Sequence, residues 1–344
     1  MEINYYENVV VSFIIPIYNT NSIFLMKCIN SIIKFRYRKE IILIDDGSTN
    51  KNTLETLRSY EKVSDEIKIF YKKNSGPAAA RNVGLDIASG KYVVFVDADD
   101  RIDPDAYAEL ILLMEKFEIH ILCHTYDVIN EENIKVKNGN DTGEIFHFSS
   151  FFEIKNLRDI NNQMPDFGPE LIWGKIYRKK VIENIRFDES LYYCEDNIFN
   201  LSPEFQGINF LGVYRSAYIH LKNSESLCNK FNPDACNCFM KSALKMKEAL
   251  SVYKEEIDWN EFYKTIIFHF YLSNILRLDI FNIQNSDNLL NKIKIANDIL
   301  LKEPFRTALD RIDKRALSPR QKVVFMLLKM KLCWMAYIFF YFGR

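Results

Sequence analysis

Apolar and polar positions alternate in blocks along the first hundred residues. Residues 9–17 (VVVSFIIPI) form a near-continuous apolar run ended by Pro16 and Asn19, which reads as a strand buried on both faces. From residue 21 to 34, Ile23, Met26, Ile29, Ile32 and Ile33 recur at helical spacing. Residues 40–44 (EIILI) make a second strand, closing on Asp45-Asp46-Gly47-Ser48; 53–60 is a helix and 67–71 a third strand. Pro77 opens the next helix in its first turn, where a missing N–H costs nothing. That helix runs to Ala88 and stops at Gly90, before a fourth strand at 92–96. A helix at 106–117, a strand at 119–126 and a hairpin-like polar connection at 130–140 follow. Beyond about Asn223 strand signals fade, and amphipathic helices at 235–253 and 261–276 dominate. The pattern predicts an α/β domain with a mainly parallel, Rossmann-like sheet covered on both faces, then a smaller α-helical domain. The break falls near 222–234, and no internal repeat is present.

The stretch KYVVFVDADDRIDPD (residues 91–105) carries the strongest chemical signal. Asp97, Asp99 and Asp100 crowd the end of a buried strand, where they repel one another unless a cation or a set of donors sits among them. Mg²⁺ or Mn²⁺ prefers such oxygens and leaves room for substrate phosphates. An acidic turn with helix-capping aspartates is the plainer alternative. Tyr18, Asp45-Asp46 and Asp97/Asp99 all close strands, however, and ligands of parallel sheets bind outside the strands' carboxyl ends. Three polar clusters on one rim favour a ligand site. Arg81 lies in the first turn of the Pro77 helix, whose amides favour anions. It is either a solvated helix arginine or a contact to a nucleotide's base or phosphates.

The series IIPIYN (14–19), IDDGS (44–48), GPAAARNVGL (76–85), VFVDADD (94–100), WGKIYRKKVI (173–182) and YYCEDNIFN (192–200) resembles, in this order, family 2 glycosyltransferases of the inverting GT-A class. It covers about the first 230 residues and is most similar to bacterial members that build capsule, lipopolysaccharide or teichoic-acid glycans. The resemblance implies a UDP-sugar donor, a glycan or lipid-linked glycan acceptor, and Mn²⁺ or Mg²⁺. It assigns Pro16, Tyr18, Asn19, Asp45, Asp46, Arg81, Asp97 and Ala98 to the donor nucleotide. Asp99, assisted by Asp97, ligates the metal, and Asp100 stands behind them or caps the helix at Pro104. Asp196 is the base and Glu195 its orienting or acceptor-binding partner; adjacent carboxylates on one helix face directions ~100° apart. Trp173 walls the acceptor or donor-sugar pocket or is an ordinary core tryptophan. Lys175 reaches a phosphate or an acceptor acid, or is solvated. His220 departs from the Tyr-Arg pattern of many relatives, in a region that carries a loop closing over the diphosphate. It is a metal or pyrophosphate ligand, or a satisfied buried histidine.

Composition narrows the alternatives. A formal net charge of −1 argues against a general nucleic-acid binder. Seven cysteines without paired spacing point to reduced thiols, with Cys194 a small filler. No basic region precedes an apolar core at the N-terminus, and the expected location is the cytoplasmic side. Residues 318–344 are apolar and aromatic yet carry Arg320, Lys322, Lys329 and Lys331. A spanning helix wants ~20 predominantly apolar residues, more than follow Lys331. The segment suits a helix lying on the inner face of the cell membrane, lysines toward headgroups and Trp334, Tyr337 and Phe339 toward lipid. A buried C-terminal helix and a transmembrane anchor are the alternatives. The expected organisation is a GT-A domain at 1–222, a helical domain at 223–317 and a membrane-associating segment at 318–344. A nucleotidyltransferase would share the acidic site, but Pro16-Ile17-Tyr18-Asn19 stands where its glycine-rich loop belongs. A non-catalytic scaffold is disfavoured by Asp97, Asp99 and Asp196.

Overall fold

The computed structural model describes residues 11–132, 134–137, 141–148, 171–205, 207–222, 230–251, 264, 267, 271–312, 314, 317 and 319–342. The chain divides into two compact units, Met1–Asn223 and Ser224–Arg344.

The first unit opens with β1 (Val11–Ile17), α1 (Ser22–Ile33), β2 (Lys39–Asp45), α2 (Lys51–Tyr60), β3 (Ile67–Tyr71), α3 (Pro77–Ile87) and β4 (Tyr92–Phe95). The four strands run parallel in the order β3-β2-β1-β4. Residues 9 and 10 of the expected first strand lie outside the described residues. Helix α2 starts two residues before its apolar pattern because Asn50 accepts from the amides of Asn52 and Thr53. Gly84 lets α3 lie flat on β1: a Cβ there would stand 2.3 Å from Ile14 Cγ2. Gly84→Ala is therefore expected to cost about 1–3 kcal/mol by overpacking, read as a lower thermal midpoint.

The unit continues with β5 (Arg101–Ile102), α4 (Pro104–Lys116), β6 (Ile121–Asn130), β7 (Lys135–Lys137), β8 (Ile145–Phe148), β9 (Lys175–Arg178), α5 (Lys179–Ile182), α6 (Glu195–Asn200) and β10 (Phe210–Lys222). The path across the sheet is β3-β2-β1-β4-β9-β6-β10-β5, with β7 on β6 and β8 on β10. Strands β6 and β10 are parallel, whereas β9 runs antiparallel to both β4 and β6. Strand β7 returns along β6 as the hairpin expected near 130–140, whose residues 133 and 138–140 lie outside the described residues.

Strand β10, which carries His220, was not assigned from the sequence. This 13-residue strand pairs with β6 over 210–213 and 218–222 and, at Tyr218 and Ile219, with β5. A register shift between Val213 and Tyr218 breaks the two-residue alternation that would have revealed it. The loop-bearing residues 223–229 are outside the described residues.

The described elements of the second unit are helical. They are α7 (Ala235–Leu250), α8 (Leu272–Ile275) passing into a π-helical turn (Leu276–Ile280), α9 (Leu289–Ile299), α10 (Phe305–Arg311), α11 (Pro319–Lys329) and α12 (Cys333–Phe342). Residues 252–253 of the helix expected at 235–253, and most of that expected at 261–276, fall outside the described residues. Among the described residues no helix is long and apolar enough to cross a membrane.

Candidate active site

Strand register brings the nucleotide-side residues together. Ile17 pairs with Asp45 and Asp45 with Tyr71, while the Val96 amide donates to the Ile14 carbonyl. Tyr18, Asp45, Tyr71 and Asp97 therefore stand at one rim. Tyr18 (51 % exposed) and Tyr71 (50 % exposed) flank the buried Asp45, whose oxygens accept from the Ser48 amide at 3.3 Å. Tyr71 was not singled out from sequence; its place at the end of the third strand, level with Asp45, is the signal that would have found it.

Two residues expected at the donor hold loops. Asp46 is buried, with Oδ1 accepting from Lys72 Nζ at 2.5 Å and the Ser75 amide at 3.0 Å, and Oδ2 from the Gly76 amide at 2.8 Å. Asn19 turns through φ 50° and accepts from the amides of Thr49 and Asn50, both at 2.8 Å. Each carboxylate or amide oxygen is thus committed to holding a strand-end loop. Pro16 is half-buried on β1, opposite Ile44.

After β4 the carboxylates separate by environment. Asp97 and Asp99 are half-buried, Ala98 between them is buried, and Asp100 is fully buried. Asp100 accepts from the Tyr218 hydroxyl (2.7 Å) and the Leu221 amide (2.7 Å), and pairs with His220 Nδ1 (3.1 Å). It does not cap α4; Asp103 does, through the amides of Asp105 and Ala106. The Tyr218 hydroxyl also accepts from the Asp97 amide at 3.1 Å, so β10 braces the whole acidic turn. Trp173 stacks on Tyr218 and on His220, centroids 4.7 and 5.2 Å away, and is itself nearly buried. Burial opposes the His220 imidazolium, but the hydrogen bond and charge of Asp100 outweigh it and raise the pKa.

Arg81 is not a solvated helix arginine. Its buried guanidinium donates through Nη1 to Glu195 (2.8 Å) and Asp196 (3.1 Å), and through Nη2 to Asp97 (3.3 Å). Next to it, Asn82 grips residue 187 from both sides, accepting from the Phe187 amide (2.8 Å) and donating to its carbonyl (3.0 Å). Asn200 accepts from the Tyr177 hydroxyl and donates to the Leu171 carbonyl, which fixes the far end of α6. Cys194, rather than a plain filler, enters α6 in a left-handed conformation (φ 66°), at a cost of roughly 1–2 kcal/mol. Lys175 is fully buried, not solvated, and donates to the Leu171 carbonyl, so it lines no open sugar pocket.

Environment also separates the adjacent carboxylates. The Glu195 side chain is 12 % exposed and Asp196's is 22 %. Burial pushes the Asp196 carboxyl up to about 7 against the pull of Arg81, with Glu195 and Asp97 adding to the rise. Burial likewise raises Asp97, with Arg81 opposing. Among the described residues no group of three or more His, Cys, Asp and Glu is arranged to hold a metal ion. Asp97 and Asp99 nonetheless fit Mg²⁺ or Mn²⁺, which is commonly held by one or two carboxylates together with substrate phosphates. His220 has already committed Nδ1 to Asp100.

A mixed, mostly parallel sheet with a carboxylate rim, backed by an arginine–carboxylate cluster and followed by a helical region, defines a GT-A glycosyltransferase fold. The chain belongs to glycosyl transferase family 2, whose signature spans residues 12–186. Glycosyltransferase GlyA of Streptococcus pneumoniae is 32 % identical over 183 residues, 52 % of this chain and 26 % of GlyA. EpsJ of Bacillus subtilis, an uncharacterized glycosyltransferase, is 28 % identical over 222 residues, 63 % of this chain and 62 % of EpsJ. The chain thus spans less than two thirds of either relative. The crystal structure of S. aureus TarS 1–349 in complex with UDP-GlcNAc superposes with a TM-score of 0.63 at 18 % identity, covering 96 % of this chain and 89 % of that one. At that identity the likeness is one of fold.

Proposed function

We propose that the chain is a metal-dependent inverting glycosyltransferase. It moves a sugar from a UDP-sugar to a hydroxyl of a glycan acceptor, lipid-linked and presented at the inner face of the membrane, in bacterial surface-polysaccharide synthesis. The observation that carries this reading is the Arg81 clamp, which ties Asp196 to the same rim as Asp97. The TarS complexes with UDP and with UDP-GlcNAc support a uridine donor, here a UDP-hexose or UDP-N-acetylhexosamine.

In this mechanism Tyr18 and Tyr71 offer faces to the base and Asp45 accepts a hydrogen bond from it. Asp99, assisted by Asp97, would hold the divalent ion, which as a Lewis acid stabilises the charge on the departing diphosphate. Asp196 takes the acceptor hydroxyl's proton as that oxygen bonds the anomeric carbon and the bond to the diphosphate breaks. Glu195, closer-packed on Arg81, orients the pair. One displacement inverts the anomeric centre, and no nucleophile of the enzyme is needed.

Release of UDP from a panel of UDP-sugars, with and without Mn²⁺, tests the reading. Asp99→Asn is expected to lose nearly all turnover and the metal dependence of UDP binding. Full activity of that variant in EDTA would remove the metal from the proposal. A product that keeps the donor's anomeric configuration would remove the single displacement.

A further inference from the structure

The C-terminal segment is not one helix lying on a surface. Helix α11, a turn with Lys331 at φ 58°, and α12 make a helix–turn–helix, and one side of it belongs to the core of the second unit. Val324, Phe325, Leu328, Cys333 and Ala336 are buried, and Tyr337 stacks on Phe281 at 5.1 Å. Tyr337 is therefore not turned outward as expected; the Phe339 side chain lies outside the described residues.

The outward side is unusual in composition. Between residues 321 and 338 the exposed positions are Lys322, Met326, Lys329, Met330, Lys331, Trp334 and Ile338. The exposed apolar residues are Met326 (58 % exposed) on α11, Met330 (67 %) in the turn, and Trp334 (40 %) and Ile338 (42 %) on α12, with Lys329 and Lys331 among them. Lys329 answers Asp310 of α10 at 2.6 Å, and no acidic residue occurs between 319 and 342. Phe281, which stacks on Tyr337 of α12, is followed in the chain by Ile283, Leu289 and Leu290, which are exposed as well.

Exposed methionine, tryptophan and isoleucine gain by leaving water, and the lysines, of which Lys329 already pairs with Asp310, favour an anionic partner over a neutral one. A face with apolar residues interleaved by lysines matches an anionic bilayer, where the former enter the headgroup–acyl boundary and the latter meet phosphates. We propose that this face of the second unit docks on an anionic lipid surface. The assignment deepens the membrane-side acceptor reading above and rests on it for its purpose, though not for its chemistry.

Flotation of the full chain with equimolar phosphatidylglycerol–phosphatidylcholine vesicles tests it, with pure phosphatidylcholine as the control. The chain is expected to float with the anionic vesicles alone and to release in high salt, as screened charges require. Met330→Glu/Trp334→Glu, both at exposed positions, should lose binding at least ~tenfold while keeping the parent's thermal midpoint. Lys322→Glu/Lys331→Glu should do the same. Flotation of either double variant like the parent, or none by the parent, overturns the proposal. A parent dimer that Met330→Glu/Trp334→Glu dissolves would assign the face to a second copy instead. UDP release in lipid-free buffer reads the enzymatic proposal separately, since none of these side chains lies in the first unit.

Discussion

Asp196→Asn is expected to bind UDP as the parent does and to transfer sugar ~10²-fold more slowly or worse. The amide keeps the shape of the side chain and its place beside Arg81 but cannot take a proton. Glu195→Gln should cost less, because Glu195 is the more enclosed of the two and is held to Arg81 at 2.8 Å against 3.1 Å for Asp196. The reverse order of damage would move the base to Glu195. The pH profile supplies a second reading. Asp196 works deprotonated, and its carboxyl sits at about 7, so turnover should fall as pH drops through neutrality. The same shift has a consequence for stability. A carboxyl raised from 3.8 to about 7 holds its proton more tightly folded than unfolded. Its contribution is complete below the unfolded value and is lost as pH rises through the folded one. At about pH 8, Asp196→Asn should therefore be no less stable than the parent.

Arg81→Met should be the most damaging single change to the folded state. One buried guanidinium is shared by Glu195, Asp196 and Asp97, and methionine would leave three crowded carboxylates without the cation that ties them together. Removing one partner of a buried ion pair costs about 3–5 kcal/mol, because the remaining charge has no compensation. The thermal midpoint should drop sharply and transfer should vanish. Arg81→Lys should recover part of the stability, since an ammonium keeps the charge but lacks the planar fork that reaches carboxylates on opposite sides. A variant that keeps its midpoint and loses only UDP affinity would return Arg81 to the nucleotide.

The strands and helices up to β4 were legible because each buried strand is a run of apolar residues and each crossover helix keeps its spacing. Asn21, Asn50 and Asp103 add caps with a local mechanism. Past Asp105 legibility declined. Strand β9 is only Lys175–Arg178, with its lysine buried, and β10 loses its period at the irregularity before Tyr218. The role of Asp100 was out of reach for the same reason, since its partners Tyr218, His220 and Leu221 lie more than a hundred residues away on that strand.

Local order along the chain was enough to establish the alternating α/β domain, the carboxylates at the strand ends, the cationic C-terminal segment and the family resemblance. These rest on periodicity and on residues close in sequence, whose physics does not depend on distant partners. Tertiary structure alone decided what each polar group is spent on. Arg81 could face solvent, phosphate or carboxylate until packing carried Glu195 and Asp196, 114 and 115 residues further on, to its Nη1. Asp46, Lys175 and His220 likewise took their partners from folding. A buried charge must find compensation, and only the fold brings together the groups that supply it.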